Sequence, residues 1–356
     1  MARFKHIPNS LSPLLAPVAW VYGCAMRMRR LAYERGYFSS RLPGRPCVAV
    51  GNIAWGGSGK TPLAAWLLDW AVARGLKPVL LTRGYKAKPP SLPYRVERDS
   101  HWREAGDEPL LLARAQPGAL VLVDPCRGRA ADWARMHAAP DLFVLDDGFQ
   151  HLGLRRQVDL VLLRPEDLAG GWNRVIPAGA WREPVAALSR ASAFLLKSSS
   201  LDAFELIRTR LQRFGKPVFT FDYTVAGVRA VTQGAVIHLG AEALRGNTYV
   251  LLTGLADPAA AAASFERWCG GPPAEHLVFG DHHAFTASDW SAALAALERT
   301  GARRVLCTAK DAVKLQDVAD ERLWAVDIRV AFGPALFTDR SFPDWWSGVW
   351  ATLQQG

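Results

Sequence analysis

The fold is decided by residues 47–61, whose sequence is CVAVGNIAWGGSGKT. The stretch begins with an apolar run that leads into a glycine-rich loop, and a helix is predicted from Lys60 to about Ala73. Pro62 suits the first turn of this helix, where its missing N–H would have no partner in any case. A strand that passes through a glycine-rich loop into a helix is the context that a phosphate-binding loop requires.

This loop predicts a site for ATP and Mg²⁺. The glycines allow backbone N–H groups to face phosphate oxygens, and the helix N-terminus adds positive potential. The Lys60 ammonium would reach the β- and γ-phosphates, and the Thr61 hydroxyl would bind Mg²⁺. Ala54 stands where the strict G-x-x-x-x-G-K-[ST] motif has its first glycine, so the later glycines supply the flexibility. The predicted nucleotide-binding residues are Gly56, Gly57, Ser58, Gly59, Lys60 and Thr61.

Apolar runs alternate with stretches that can hold a helix on both sides of the loop. Such alternation predicts strands buried on both faces of a parallel sheet. In the first half the runs are residues 79–82, 119–123, 142–146, 159–163 and 193–196. In the second half they are residues 249–253, 276–279, 304–308 and 323–328. The predicted fold class is α/β, with a P-loop NTPase-type parallel sheet domain, a second, smaller α/β domain and an N-terminal amphipathic helix.

A chain of 356 residues is expected to form about two domains. The P-loop kinase domain is predicted at residues 46–217 and the second α/β domain at residues 248–335. Between them, residues 218–247 contain short β-prone pieces with glycines and predict a β-rich connector. Residues 1–45 form a separate N-terminal region, and residues 336–356 predict a C-terminal helix.

The N-terminal region predicts contact with a membrane surface. Residues 11–26 are almost wholly apolar, but a spanning helix needs roughly 20 such residues. Between Arg27 and Arg45 there are six arginines and a single acid, Glu34. An apolar helix beside an arginine cluster suits the headgroup region of an anionic membrane, although a first helix packed on the protein core is the alternative. The net charge of +10 favours an anionic partner, and this concentration of arginines argues against nucleic acid.

Two carboxylates follow the apolar run at residues 142–146, as they do in a Walker B segment. Strand ends on a P-loop sheet lie beside the nucleotide, so Asp146 is placed to hold Mg²⁺ or its waters. A solvated turn at Asp146 and Asp147 is the alternative. Gln150 and His151 follow, with donors that could meet a phosphate or a sugar, although His151 could equally be structural.

Other polar residues have open interpretations. Asp107 and Glu108 are either helix N-terminal acids, favoured by the helix dipole, or groups that accept a hydroxyl proton or contact Mg²⁺. His282 lies in a D-H-H segment after a predicted strand, where a single histidine can face a cleft. Arg127 and Arg182 are candidates for binding an anion, with an ordinary surface arginine as the alternative.

Taken in order, these motifs resemble the tetraacyldisaccharide 4'-kinase family of lipid A biosynthesis over nearly the full length of the chain. The matching segments are V-G-N at residues 50–52, G-G-S-G-K-T-P at 56–62, T-R-G-Y at 82–85, G-D-E-P at 106–109, D-D-G-F-Q-H at 146–151, the segment from P-A-G to R-E-P at 177–184, D-H-H at 281–283 and T-A-K-D-A-V-K at 308–314. An ordered set of this kind is far more specific than a phosphate loop alone.

The resemblance implies an enzyme that moves the γ-phosphate of ATP to the 4'-hydroxyl of a tetraacyldisaccharide 1-phosphate. It further implies peripheral attachment to the cytoplasmic face of the bacterial inner membrane. Asp107 and His282 are then a catalytic dyad that activates the hydroxyl, while Lys60 and Asp146 serve ATP and Mg²⁺. Metal ligands are predicted at Thr61, Asp146 and Glu108, and substrate-binding residues at Asn52, Asp147, Gln150, His151, Arg127 and Arg182. Neither a nucleic acid nor an obligate protein partner is expected.

Two rival P-loop classes lack their motifs in this sequence. A GTPase switch has an aspartate in D-x-x-G where this chain has Leu145. Its N-K-x-D motif also fails, because Lys310 and Asp311 are adjacent. A partner-positioning ATPase has a lysine early in the loop, at the place of Trp55.

Overall fold

The structure, a computed structural model, describes residues 12–56, 59–197, 203–231 and 236–355. Its strands are β1 (Cys47–Asn52), β2 (Pro78–Thr82), β3 (Tyr94–Arg95), β4 (Leu120–Val123), β5 (Leu142–Asp146), β6 (Val158–Leu163), β7 (Ala193–Lys197), β8 (Val218–Val231), β9 (Val236–Leu239), β10 (Tyr249–Thr253), β11 (Glu275–Val278), β12 (Arg304–Thr308) and β13 (Leu323–Leu336). Its helices are α1 (Ser12–Glu34), α2 (Lys60–Val72), α3 (Trp102–Ala105), α4 (Asp107–Ala115), α5 (Arg127–His137), α6 (Pro165–Leu168), α7 (Ala203–Leu211), α8 (Pro258–Cys269), α9 (Ala287–Thr300), α10 (Ala309–Leu315) and α11 (Phe342–Gln355).

The first group of strands is parallel and has β1 near its centre. The order is β7-β6-β1-β5-β2-β4, with the short β3 antiparallel at the edge. Helices α2, α4 and α11 cover one face, and α5 packs on the other. Every residue of β1, β5 and β6 is consequently buried, which is why these strands are continuous apolar runs in the sequence. The predicted α/β class with a mainly parallel sheet is confirmed.

The second group, β11-β10-β12, is also parallel, and the antiparallel pair of β8 and β13 joins it to the first. Strand β7 pairs with residues 218–221 of β8, whereas β12 pairs with residues 323–326 of β13. Val326 lies opposite Val228, well beyond 218–221 along β8. Strand β8 therefore continues past the carboxyl ends of the first group, and β12 points back toward them. The carboxyl ends of the two parallel groups face each other.

Two predicted elements are longer in the structure. The strand predicted at residues 323–328 continues to Leu336, and that prediction of its end was wrong. The apolar signal fades there because most residues after Ile328 are only partly buried or exposed. Helix α1 continues past the apolar run to Glu34 and contains three of the six arginines, Arg27, Arg29 and Arg30. The predicted domain boundaries stay predictions.

Candidate active site

The predicted site residues collect where the carboxyl ends of the two strand groups face each other. From the first group come Asn52 at the end of β1 and Asp146 at the end of β5. The N-terminal end of α4 brings Asp107 to the same place. From the second group come His282, after β11, and Lys310 in the first turn of α10. Ligands in parallel α/β sheets bind at such strand ends.

The predicted phosphate loop places Lys60 and Thr61 at the start of α2. The Lys60 Nζ lies 3.3 Å from Asn52 Oδ1 and 3.3 Å from Asp147 Oδ1. The Thr61 hydroxyl donates a hydrogen bond of 3.2 Å to Glu108 Oε2. The predicted nucleotide-binding residues Gly57 and Ser58 lie outside the described residues.

Gly59 ends the loop in a conformation that only glycine adopts easily. Its φ is +89°, in the left-handed region. A Cβ at this position would overlap the Tyr223 hydroxyl oxygen, so strand β8 packs directly against the loop. The third glycine of the loop is therefore required by its backbone conformation and by a tertiary neighbour.

The adjacent carboxylates Asp146 and Asp147 have opposite electrostatic environments. Burial, reinforced by the negative charges of Glu108 and Asp147, raises the pKa of Asp146 to about 6. Asp146 Oδ2 accepts a hydrogen bond of 3.1 Å from Thr82, whereas its buried Oδ1 has no hydrogen-bond partner among the described residues. Burial also opposes ionisation of Asp147, but the charges of Lys60 and Arg182 outweigh it and hold the pKa of this carboxyl well below its usual range. At Asp146, unlike at Asp147, the positive charge of Lys60 does not outweigh burial and the neighbouring acids.

Arg182 forms hydrogen bonds with two other predicted substrate-binding residues, Asn52 and Asp147. Its guanidinium binds both oxygens of Asp147, at 2.8 and 2.9 Å, and also donates to the side-chain and backbone oxygens of Asn52. Gln150 Nε2 donates to the same Asn52 carbonyl at 2.9 Å. The forked pairing of Arg182 with Asp147 constrains both side chains, and it holds the carboxylate that contacts Lys60.

Asp107 and His282, 175 positions apart, form a hydrogen-bonded pair. His282 Nδ1 lies 2.8 Å from Asp107 Oδ2, and the Glu108 backbone N–H donates to Asp107 Oδ1 at 3.0 Å. Burial alone would raise the pKa of Asp107, but the hydrogen bond with His282 and two nearby lysine charges outweigh it and hold that pKa at about 2. His282 lies in the loop between β11 and α9 and adopts a φ of +57°, in the left-handed region. The carboxylate is therefore ionised and oriented at neutral pH.

Glu108 extends the acidic cluster toward the phosphate loop. It accepts from Thr61 at Oε2 and from Lys310 at Oε1, the latter at 2.9 Å. Ligand atoms of Asp107, Glu108 and His282 lie within 4.8 Å of one another. The Lys310 ammonium lies 2.9 Å from Glu108 and 4.0 Å from Asp107, and its charge lowers the pKa of both carboxyls, against the effect of burial.

Arg127 is the first residue of α5, and His151 lies in the loop between β5 and β6. The Arg127 side chain is buried, donates to the Pro125 carbonyl at 3.3 Å, and has no partner for Nε among the described residues. Burial, followed by nearby arginine charges that include Arg127, lowers the pKa of His151 to about 4. The imidazole is consequently neutral at physiological pH and can accept as well as donate.

Comparison with known proteins identifies the family. The family model described as "Tetraacyldisaccharide-1-P 4'-kinase" matches residues 11–340. The tetraacyldisaccharide 4'-kinase of Nitratidesulfovibrio vulgaris is 45% identical over 98% of this chain and 96% of its own. The chain belongs to the tetraacyldisaccharide 4'-kinase family. The predicted family and enzyme class, a kinase, are confirmed.

Other members of the family agree with this assignment. The tetraacyldisaccharide 4'-kinase of Oleidesulfovibrio alaskensis is also 45% identical, with 98% of each chain covered. A crystal structure of LpxK from Aquifex aeolicus, described as an "apo" form in complex with ATP, is similar with a TM-score of 0.73 and 28% identity. The match covers 91% of this chain and 95% of that one.

Sequence reasoning missed several residues of the candidate site. Lys310 and Lys314 lie within a motif that matches the family, but no role was predicted for either. Tyr85, whose ring centroid is 5.1 Å from that of His282, was likewise quoted without a role. The available signal for Lys310 was its position just after strand β12, since the predicted functional residues also follow strand ends.

Proposed function

We propose that this chain transfers the γ-phosphate of ATP to the 4'-hydroxyl of a tetraacyldisaccharide 1-phosphate, a lipid A precursor. The observation that carries the proposal is the 2.8 Å contact between Asp107 and His282 beside the predicted phosphate loop. Glu108 is the residue after Asp107, and the hydrogen bond that it accepts from Thr61 links the Asp107–His282 pair to the predicted phosphate loop. Family membership supports the acceptor, and the complex of the Aquifex aeolicus relative with ATP supports the donor.

Asp107 is the proposed acceptor of the hydroxyl proton. In the transfer, the acceptor oxygen forms a bond to the γ-phosphorus while the bond to the leaving oxygen of ADP breaks. The transition state is loose, so the attacking oxygen gains little positive charge and a weak base in the correct position is sufficient. A carboxyl with a pKa of about 2 fits this role, because it is ionised and free to accept throughout the physiological range.

Lys60 is the proposed charge partner of the transferring phosphate. It starts α2, where the helix N-terminus also favours an anion. Asn52 and Asp147 hold the Lys60 ammonium at 3.3 Å each, and Arg182 holds Asp147 in turn. We assign Asn52 and Asp147 to this positioning as well as to the substrate side of the site.

The residues present fit a magnesium ion. Mg²⁺ prefers oxygen ligands, which Thr61, Asp146 and Glu108 supply. The buried Asp146 Oδ1 has no hydrogen-bond partner in the described part of the chain, so this oxygen is available to bind a cation. When bound, Mg²⁺ would neutralise phosphate charge and orient the phosphate chain.

The acceptor side of the site carries positive charge and neutral donors. Arg127 and Arg182 are the proposed contacts for anionic groups of the acceptor, and Gln150 and His151 for its hydroxyls. His151 has a low pKa and so can bind a neutral sugar without carrying charge. This division matches an acceptor that combines sugar hydroxyls with a phosphate.

A direct assay tests the function. The purified protein is incubated with γ-labelled ATP, Mg²⁺ and tetraacyldisaccharide 1-phosphate, and with the matched acceptor that lacks only the 4'-hydroxyl. Label is expected in the lipid product for the first acceptor and not for the second. Label released as inorganic phosphate at equal rates with both acceptors would contradict the proposed transfer.

We also propose that α1 attaches the enzyme to the cytoplasmic face of the inner membrane. Its exposed apolar side chains include Leu14, Val18, Trp20, Val21 and Met28. None of the described helices is both long and apolar enough to cross a bilayer. A helix of this kind binds at the interface, where part of its surface enters the headgroup and acyl boundary.

Other residues of α1 contact the site loops. Tyr22 donates to the Arg182 carbonyl at 3.2 Å, and Arg29 donates to the Gln150 carbonyl at 3.2 Å. Deleting the helix would therefore disturb the candidate active site as well as remove the proposed membrane attachment. Some of the predicted arginine cluster is also engaged internally, since Arg41 pairs with Asp132 at 2.6 Å.

Point substitutions on the exposed side of α1 separate these effects. The triple variant Val18→Ser, Val21→Ser and Met28→Ser should move the protein from the membrane fraction to the supernatant. If each lost side chain contributes about 1 kcal/mol, membrane partitioning falls by about 10²-fold. Activity on acceptor dispersed in detergent should remain, because the contacts of Tyr22 and Arg29 are intact. Met136→Ser, at an exposed methionine of α5, is the matched control, and equal sedimentation of both variants would place the membrane contact elsewhere.

A further inference from the structure

Lys310 contacts both Glu108, a proposed metal ligand, and His282, a member of the proposed catalytic pair. Its Nζ lies 2.9 Å from Glu108 Oε1 and 3.2 Å from His282 Nε2. Asp281 and Asp107 follow at 3.8 and 4.0 Å. The ammonium is largely buried, with 17% of its side chain exposed. Burial opposes its charge, but the surrounding carboxylates outweigh this effect and raise the pKa of Lys310 above its ordinary value.

An ammonium can only donate hydrogen bonds, which determines the proton on the neighbouring imidazole. A lysine offers three N–H donors and no acceptor. At 3.2 Å from Lys310, His282 Nε2 must therefore present its lone pair. The remaining ring proton then resides on Nδ1, where it is donated to Asp107 Oδ2 at 2.8 Å. The opposite tautomer would place an N–H against the ammonium and a lone pair against the carboxylate.

We propose that Lys310 is a positioning residue that selects the Nδ1–H tautomer of His282 and thereby orients Asp107 toward the acceptor hydroxyl. The proposal rests on the proposed function of the Asp107–His282 pair. The hydrogen bonds run in one direction, from Lys310 through His282 to Asp107. A second donor, the Glu108 backbone N–H, binds the other carboxylate oxygen. Together the two donors fix the plane of the carboxylate that is to accept a proton.

The tautomer is measurable without any turnover. Nitrogen-15 NMR distinguishes a ring nitrogen that carries a proton from one that carries a lone pair, and His282→Asn assigns the signals. In the wild type, Nδ1 is expected to be protonated and Nε2 to be unprotonated. Asp107 still favours a proton on Nδ1 in Lys310→Met, but Nε2 no longer faces an ammonium, so the signals should shift partly, toward a mixture in which some Nε2 is protonated. In Lys310→Arg the wild-type pattern should be largely kept. A wild-type ring protonated at Nε2, or at both nitrogens, would overturn the proposal.

Kinetics separate this role from an effect on the metal site. Residues that orient a metal-bound histidine are typically worth about 10- to 100-fold in activity, and by analogy Lys310→Met should lower kcat by that order with little change in the KM for ATP. If Lys310 served only Glu108, the variant would raise the Mg²⁺ requirement and leave the nitrogen signals unchanged. That result would refute the tautomer role. Lys86→Met is the matched control, because Lys86 contacts the Asp281 carbonyl at 3.3 Å without touching the imidazole.

A destabilised variant would not obscure the answer. Removing one partner of a buried ion pair leaves the other uncompensated, so Lys310→Met is to be studied together with Lys310→Met/Glu108→Gln, which removes both charges. The double variant should show the same mixture of tautomers, and a wild-type nitrogen pattern in it would contradict the proposal. If the wild type transfers no phosphate to the acceptor, the proposed function fails, whereas the nitrogen signals still decide whether Lys310 sets the tautomer.

Discussion

Replacing Lys60 by alanine is expected to lower kcat for phosphoryl transfer by about 10²-fold or more. The Lys60 ammonium is placed to neutralise charge on the transferring phosphate, and an interaction that is strongest in the transition state affects turnover more than substrate binding. The fold should survive, because Arg182 remains paired with Asp147 at 2.8 Å after the lysine is lost. Initial rates with labelled ATP and the lipid acceptor measure the effect.

Two controls make the Lys60 result specific. The melting temperature of Lys60→Ala should stay close to that of the wild type, since its contacts with Asn52 and Asp147 are side-chain contacts at a partly buried site. Lys88→Ala, at an exposed lysine outside the site, should keep normal turnover. Near-normal kcat in Lys60→Ala would remove the phosphate loop from the proposed mechanism.

Loss of either member of the Asp107–His282 pair is expected to lower kcat by about 10²–10⁴-fold, the usual range for general-base assistance. The KM for ATP should change much less, because neither residue is assigned to the nucleotide. If the two act as one unit, the double variant should be little worse than the poorer single variant. Rates of all three variants at saturating ATP test this.

The backbone at His282 influences the choice of variant. Its φ of +57° is unfavourable for alanine, whereas asparagine tolerates the left-handed region better. Asp107→Asn and His282→Asn are therefore the cleaner pair. Glu108 lies next to Asp107, so a metal-binding role for Asp107 is the competing explanation. It predicts losses that multiply in the double variant, or a defect in Asp107→Asn that excess Mg²⁺ rescues, and either result would return Asp107 to the metal site.

The order of elements was predictable because parallel strands buried on both faces are continuous apolar runs. Strand β5 at Leu142–Asp146 and strand β12 at Arg304–Thr308 have the predicted bounds. Strand β13 was predicted too short because its second half is only partly buried and carries a weak apolar signal. Periodicity reports burial, and it fails where an element extends beyond the core.

The candidate site was predictable only in part. The glycine-rich loop and the carboxylates at the end of β5 have local signatures, since a tight loop requires glycine and a metal or phosphate requires charged groups after a strand. The pairing of Asp107 with His282 came from resemblance to a family and from no pattern in the residues. Lys310 was quoted within a matching motif, yet nothing in that motif indicates that its ammonium reaches the imidazole.

By itself, the sequence determined the strand–loop–helix unit at residues 47–61, the alternation of strands and helices, and the family. These features depend on the conformational preferences of neighbouring residues and on the order of the motifs, and both are properties of the linear sequence. The Asp107–His282 contact across 175 positions was expected from the family resemblance alone, and the tertiary structure supplies its geometry. Only the tertiary structure decided that Lys310 meets Glu108 across 202 positions. The physical reason is the pairing of β8 with β13. Their register sets where the second strand group is attached, and it turns the carboxyl ends of the two groups toward each other.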